Sequence, residues 1–134
     1  MNVLCYCTSL RNAARRTTAV YDAALAPLGV GMAQFAMLRA LDIADPIGLS
    51  QLGEKLELDR STVGRNVRVL EKMGLVTTGA GEDQRQTIIE LTTAGRSVLR
   101  KGVALWDSAQ AEFEARIGAK TAHELRKILY SLSY

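Results

Sequence analysis

The sequence predicts a single domain, mainly α-helical, with one small β-hairpin. Three observations point there. Apolar residues recur at three- and four-residue spacing over most of the 134 positions. One stretch, residues 75–91, instead carries two short β-prone runs around a polar loop with two glycines. Two prolines in the whole chain leave little to interrupt helices. At 48% hydrophobic and 23% charged, the composition is that of an ordinary globular domain. It excludes an intrinsically disordered chain and a disulfide-stapled miniprotein. No apolar run approaches the ~20 residues of a membrane span.

Thr8 or Ser9 is placed to cap a first helix running to about Leu28. Its apolar face reads Leu10, Ala14, Thr17, Tyr21, Leu25 and Leu28, and Gly29 is the expected stop. A second helix fits Met32 to Asp42, burying Phe35, Leu38 and Leu41. Asp45-Pro46-Ile47-Gly48 reads as a turn. Leu49, Leu52 and Leu56 stand at i, i+3 and i+7, which makes 49–57 a short helix. Asp59 or Ser61 then starts another, with Val63, Val67, Leu70 and Met73 inward and Gly74 at its end.

The period changes after Gly74. Residues 75–78 and 87–91 are the two β-prone runs, and 79–86 form the loop between them. Thr92 or Thr93 caps a long helix to about Ile117, with Val98, Leu105, Ala109 and Phe113 on one stripe and Trp106 beside it. About 25 residues make it close to 37 Å long. Thr121 and Glu124 have capping-box spacing, and a last helix is expected to bury Leu125, Ile128, Leu129 and Leu132.

The net charge of +3 is unevenly spread. Residues 1–30 carry net +2, 31–58 net −2, 59–101 net +3, and the remainder balances. A basic block inside a folded domain fits a polyanionic partner, and equally a solvated face. The order of elements decides between them. A short helix, a tight turn, a basic helix and a hairpin make a winged helix-turn-helix. Such a motif lays its second helix in the major groove of DNA. The exposed face of that helix carries Arg60, Ser61, Thr62, Arg65, Asn66, Arg68 and Lys72. Arg pairs bidentately with guanine, Asn with adenine, and Ser and Thr reach base edges or phosphate. Lys72 lies too far along for base reading. Arg85 sits between glutamines at the hairpin tip, within reach of a minor groove.

The stretches LSQLGEKLELDRSTVGRNVRVLEKMGLV at 49–76 and DQRQTIIELTTAG at 83–95 closely resemble the multiple antibiotic resistance regulator (MarR) family. The first holds the pattern L-x-x-L…L-D-R-S-T-V…R…L-E-x-x-G-L-V. The second holds a D-x-R wing and the L-T-x-x-G start of the next helix. Weaker similarity reaches both ends of the chain.

The resemblance implies a homodimeric transcription factor, usually a repressor, that binds a palindromic operator in double-stranded DNA. It assigns dimerisation to helices in 1–30 and 93–134 and DNA binding to a lobe over 31–92. It makes Arg60, Ser61, Thr62, Arg65, Asn66 and Arg68 the recognition-helix candidates. Arg85 becomes the minor-groove residue, with Asp83 holding it. A local Asx turn is the plainer role for Asp83. Two positions depart from the pattern. Gly64 stands where relatives often carry a polar residue, and Glu57 where the turn often holds Gly, so a slightly different turn is expected.

The family also implies a small effector, often aromatic or anionic, bound between the dimerisation helices and the DNA-binding lobe. Cys5 and Cys7 form a C-x-C with two readings, inert thiols or redox sensors. A peroxide-sensing branch of the family places a reactive cysteine close to Cys5, but the tyrosines that serve it there are matched here by Ser9 and Phe35. With His123 as the sole histidine, one chain cannot complete a four-ligand zinc site around this pair, so no metal or other cofactor is expected. Two cysteines without an export signal predict a cytoplasmic chain with no membrane partner.

Two rival readings stand beside the regulator. One is a winged-helix protein-interaction module without specific DNA binding, since fold alone does not prove function. Four exposed arginines argue against it, because protein interfaces favour aromatic anchors. The other is a small enzyme. It lacks a Gly-rich phosphate loop and a nucleophile–base motif.

Overall fold

The computed structural model describes residues 5–132. Helix α1 (Tyr6–Leu25) starts earlier than Thr8 or Ser9 would set it. The cap is Cys5, whose thiol accepts the Thr8 amide at 3.3 Å, so Thr8 lies inside the first turn. The helix ends at Leu25, and Ala26–Leu28 tighten into a 3₁₀ turn around Pro27. Gly29 closes it at φ 75°, a left-handed conformation that favours glycine. The Asp22 carboxylate then accepts the Met32 amide at 2.6 Å, fixing the start of α2 (Met32–Ile43) against α1.

The predicted inward face of α2 is buried, and Met37 joins it. Residues 45–48 do more than turn. Ile47–Gly48 form a short strand β1, antiparallel to the outer edge of the hairpin. Two residues carry no sequence signature of a strand, and this one exists because that edge offers unpaired backbone groups. Helices α3 (Leu49–Leu56) and α4 (Arg60–Lys72) follow. Strands β2 (Val76–Ala80) and β3 (Thr87–Leu91) complete an antiparallel sheet in the order β1-β3-β2. Strand β2 starts one residue later and ends two residues later than expected, which shortens the tip to 81–86, while β3 keeps the expected bounds.

One core joins the lobe. Phe35, Leu38 and Leu41 from α2 meet Leu52 of α3, Val63, Val67 and Leu70 of α4, Ile89 of β3 and Leu99 of the next helix. Each such side chain contributes about 1.5–3 kcal/mol when fully buried. Met73 departs from expectation. It is the C-cap of α4, beyond the inward face, and is 38% exposed.

Helix α5 (Thr93–Ile117) is capped by Thr92, whose hydroxyl oxygen accepts the Gly95 amide at 3.0 Å. Its buried residues are Gly95, Leu99, Gly102 and Ala109; Ala109 belongs to the predicted stripe, and the other three lie along one edge of it. Val98, Leu105, Trp106 and Phe113 are half-buried. The reason is that Gly95 and Gly102 are packing points. A Cβ on Gly95 would lie 2.1 Å from the Leu75 carbonyl oxygen, and one on Gly102 would lie 2.4 Å from the Phe35 ring. Helix α6 (Ala119–Tyr130) begins after Gly118, so the capping-box pair Thr121 and Glu124 is not at its start.

The terminal stripes have little to pack on within one chain. Leu125 is half-buried, whereas Ile128, Leu129 and Leu132 are 56%, 48% and 42% exposed. On α1 only Tyr21 and Leu25 are buried, and Leu10 is 46% exposed. No single helix among the described residues is long and apolar enough to cross a membrane.

Candidate nucleic-acid interface

The turn into α4 is set by two residues. Glu57 ends α3 at φ 54°, ψ 41°, the left-handed conformation that glycine adopts at low cost. A non-glycine residue pays about 1–2 kcal/mol for it. The turn thus keeps the left-handed step despite lacking glycine. Asp59 then caps α4, its carboxylate accepting the Thr62 amide at 2.7 Å and the Ser61 hydroxyl at 2.9 Å. Asp59 rather than Ser61 is therefore the start signal. These bonds, with Arg65 nearby, hold the Asp59 carboxyl below the ordinary carboxylate range. The cap is present above the usual carboxylate pKa of ~3.9 and is lost as pH falls through the lower folded value.

Helical geometry then sorts the predicted residues. At 100° per residue, Ser61, Arg65, Arg68 and Lys72 share the face opposite buried Val63, Val67 and Leu70. All four are exposed. Thr62 and Asn66 are half-buried on the flank, and Arg65 reaches back to the Thr62 hydroxyl at 3.4 Å. Arg60 lies on the wing side. Glu71, three turns further along that side, accepts the Thr78 hydroxyl of β2 and ties the helix to the wing. A Cβ at Gly64 would meet nothing within 4 Å, so the missing side chain leaves open surface.

The wing tip is shaped by Asp83. Its carboxylate accepts the Arg85 backbone amide at 3.0 Å, and the Asp83 carbonyl accepts the Gln86 amide at 2.8 Å. Asp83 thus holds the Arg85 backbone through an Asx turn, and its carboxylate makes no ion pair with the guanidinium. Arg60 and Arg85 line one cleft of about 200 Å³ between the wing and the start of α3. Ser50 and Gln51 line it too. They were missed in the sequence because nothing local links them to a tip more than thirty positions away. Among the described residues, none of Arg60, Arg65, Arg68, Lys72 and Arg85 is in an ion pair. A wing, an outward basic stripe and unpaired cations suit phosphate neutralisation and groove contact.

Two other places matter. Between α1, α2, α5 and α6 lies an apolar cleft of about 600 Å³, lined by Leu10, Tyr21, Arg39, Trp106, Phe113 and Leu129 among others. Arg39 stacks on Trp106, its guanidinium 4.2 Å from a ring centroid. Tyr21 donates its hydroxyl to Gln110 at the cleft wall, and burial pushes its pKa up. At the N-terminus Cys5 and Cys7 are exposed. A 2.9 Å contact between the Cys5 thiol and the Thr8 hydroxyl, with the Thr8 amide, holds Cys5 below the ordinary thiol value. Among the described residues no group of three or more His, Cys, Asp or Glu is arranged to hold a metal ion.

Comparison with known proteins agrees with this geometry. The MarR family pattern matches residues 28–86. The structure resembles that of the transcriptional regulator MosR of Mycobacterium tuberculosis in complex with DNA. The identity is 35%, with 93% of each chain covered and a TM-score of 0.83. An HTH-type transcriptional repressor of the same species is 27% identical over 112 residues, covering 83% of this chain and 81% of that one. The organic hydroperoxide resistance transcriptional regulator of Bacillus subtilis is 30% identical over 103 residues, covering 76% and 69%. With the winged helix-turn-helix described above, these matches establish that the chain belongs to the MarR family of transcriptional regulators.

Proposed function

We propose that the protein is a repressor that binds a palindromic operator as a homodimer. Residues 31–92 form its DNA-binding lobe, and the helices of 1–30 and 93–134 form its dimer interface. The observation that carries this reading is the set of unpaired arginines on the outer face of α4 and at the wing tip. Ser61, Arg65 and Arg68 face the major groove, Arg60 flanks it, and Thr62 and Asn66 contribute from the flank. Arg85, oriented by Asp83, enters the minor groove. The exposed stripes of α1 and α6 support the dimer, because a second copy would cover them.

The test is a DNA shift assay on the sequence flanking the protein's own gene, run over a salt series. Wild type is expected to bind as a dimer, with affinity falling steeply as salt rises. Arg65→Ala is expected to cost about 1–3 kcal/mol and to relax base preference. Arg85→Ala is expected to hurt A·T-rich flanks most, because a narrow minor groove attracts Arg. Wild-type affinity in both variants would refute the assignments. Salt-independent capture of a protein instead of DNA would favour the interaction-module reading.

Two features support a release signal. The 600 Å³ cleft offers an apolar body with Arg39 as its charge, which suits a small aromatic anion. Its rim lies on the helices proposed to dimerise, so ligand and dimer geometry are linked. The second feature is Cys5, an exposed thiol of lowered pKa. A Cys5 thiolate would attack a peroxide oxygen, giving a sulfenic acid and releasing water or an alcohol. A thiol of the second subunit would then displace water to form a disulfide. Cys7 lies inside the first turn of α1, so pairing within one chain would require that turn to open. Peroxide is therefore expected to produce a dimer-sized band on a non-reducing gel and to lower DNA affinity, both reversed by reductant. Cys5→Ser should abolish both effects. If peroxide leaves wild-type migration and binding unchanged, oxidation is not the signal.

A further inference from the structure

We infer that Asp45 positions the wing and, through it, Arg85. This rests on the DNA-binding reading and adds a residue outside the recognition helix and wing. Asp45 lies between α2 and β1. One carboxylate oxygen accepts the backbone amide of Leu91, the last residue of β3, at 3.3 Å. The other accepts the Arg96 guanidinium in the first turn of α5 at 2.6 Å. These partners are 46 and 51 positions away. The Asp45 side chain is only 14% exposed, so the pair is shielded from solvent on that side.

The location gives the carboxylate leverage. The wing joins α5 at Leu91–Thr92. On one side of this root, the Thr92 hydroxyl donates to the Gly74 carbonyl at 2.7 Å and its amide to the Leu75 carbonyl at 3.1 Å. On the other side the root is held by the two-residue strand β1 and by Asp45, above the buried side chains of Ile89 and Leu91. A five-residue strand is about 17 Å long. A tilt of roughly 10° at its root would move the tip by about 3 Å, enough to take Arg85 out of hydrogen-bond range of a groove. Asp45 therefore joins α2, the wing and the long helix at the root of the wing.

The test combines two readouts. The first is amide hydrogen exchange on the free protein. Asp45→Ala is expected to speed exchange in β3 and at Leu91 while α2 and α4 stay protected. Unchanged exchange in β3 overturns the clamp, and so does a uniform rise across all elements. The second is a double-mutant cycle on DNA binding. Asp45→Ala and Arg85→Ala are each expected to weaken binding about tenfold, and the double variant to bind no worse than Arg85→Ala. Arg65→Ala is expected to add its full loss to Asp45→Ala. Additive losses of Asp45→Ala and Arg85→Ala would overturn the inference. If wild type binds no DNA, the DNA reading fails, and the exchange result decides the clamp alone.

Discussion

Truncating Phe35 to alanine is expected to cost about 3–5 kcal/mol of unfolding free energy, a large share of the stability of a domain this size. The ring is fully buried and lies against the bare backbone of α5 at Gly102. Its removal leaves a cavity where α2 meets the long helix. Urea unfolding of wild type and variant at equal protein concentration checks this, and a loss below about 1 kcal/mol would refute the packing role. A second substitution makes the test specific. Gly102→Ala alone would place a Cβ 2.4 Å from the Phe35 ring and is expected to cost about 1–3 kcal/mol. Combined with Phe35→Leu, which vacates part of that space, its cost should shrink. Strict additivity would show that the two residues do not share the space.

Gly95→Ala is expected to cost about 3 kcal/mol, the upper end of overpacking. The added Cβ would lie 2.1 Å from the Leu75 carbonyl oxygen and 3.1 Å from its carbon. These are backbone atoms, so no rotamer change relieves the clash. The same carbonyl accepts the Thr92 amide at the wing root. Relief would therefore shift the wing relative to α5. For a domain of this length the melting temperature should fall by roughly 10 °C. Gly64→Ala is the matched control. It adds the same methyl group to open space in a helix and is expected to stabilise by about 0.5–1 kcal/mol. A melting temperature for Gly95→Ala within about 2 °C of wild type would refute the collision.

Much of the interface was legible in the sequence because its signals are local. The Asp59 cap, the outward Arg65 and Arg68, the ends of β3 and the Thr92 cap each depend on residues within about one helical turn or one strand pair. The L-T-x-x-G pattern also marked Gly95, though not its reason.

What the sequence determined by itself was the set of elements, their order, and the chemistry presented by α4 and the hairpin. These follow from period, caps and turn residues, whose physics acts over a few positions. Only the tertiary structure decided which edge of α5 faces inward. Glycine has no side chain to register as hydrophobic, yet Gly95 and Gly102 are the points of closest approach to Leu75 and Phe35. It also decided that Ile47–Gly48 becomes a strand, that Arg60 and Arg85 share a cleft, and that Asp45 reaches Leu91 and Arg96. Each joins groups far apart in the chain. Their proximity is set by burial of the common core, which fixes distances that no local spacing encodes.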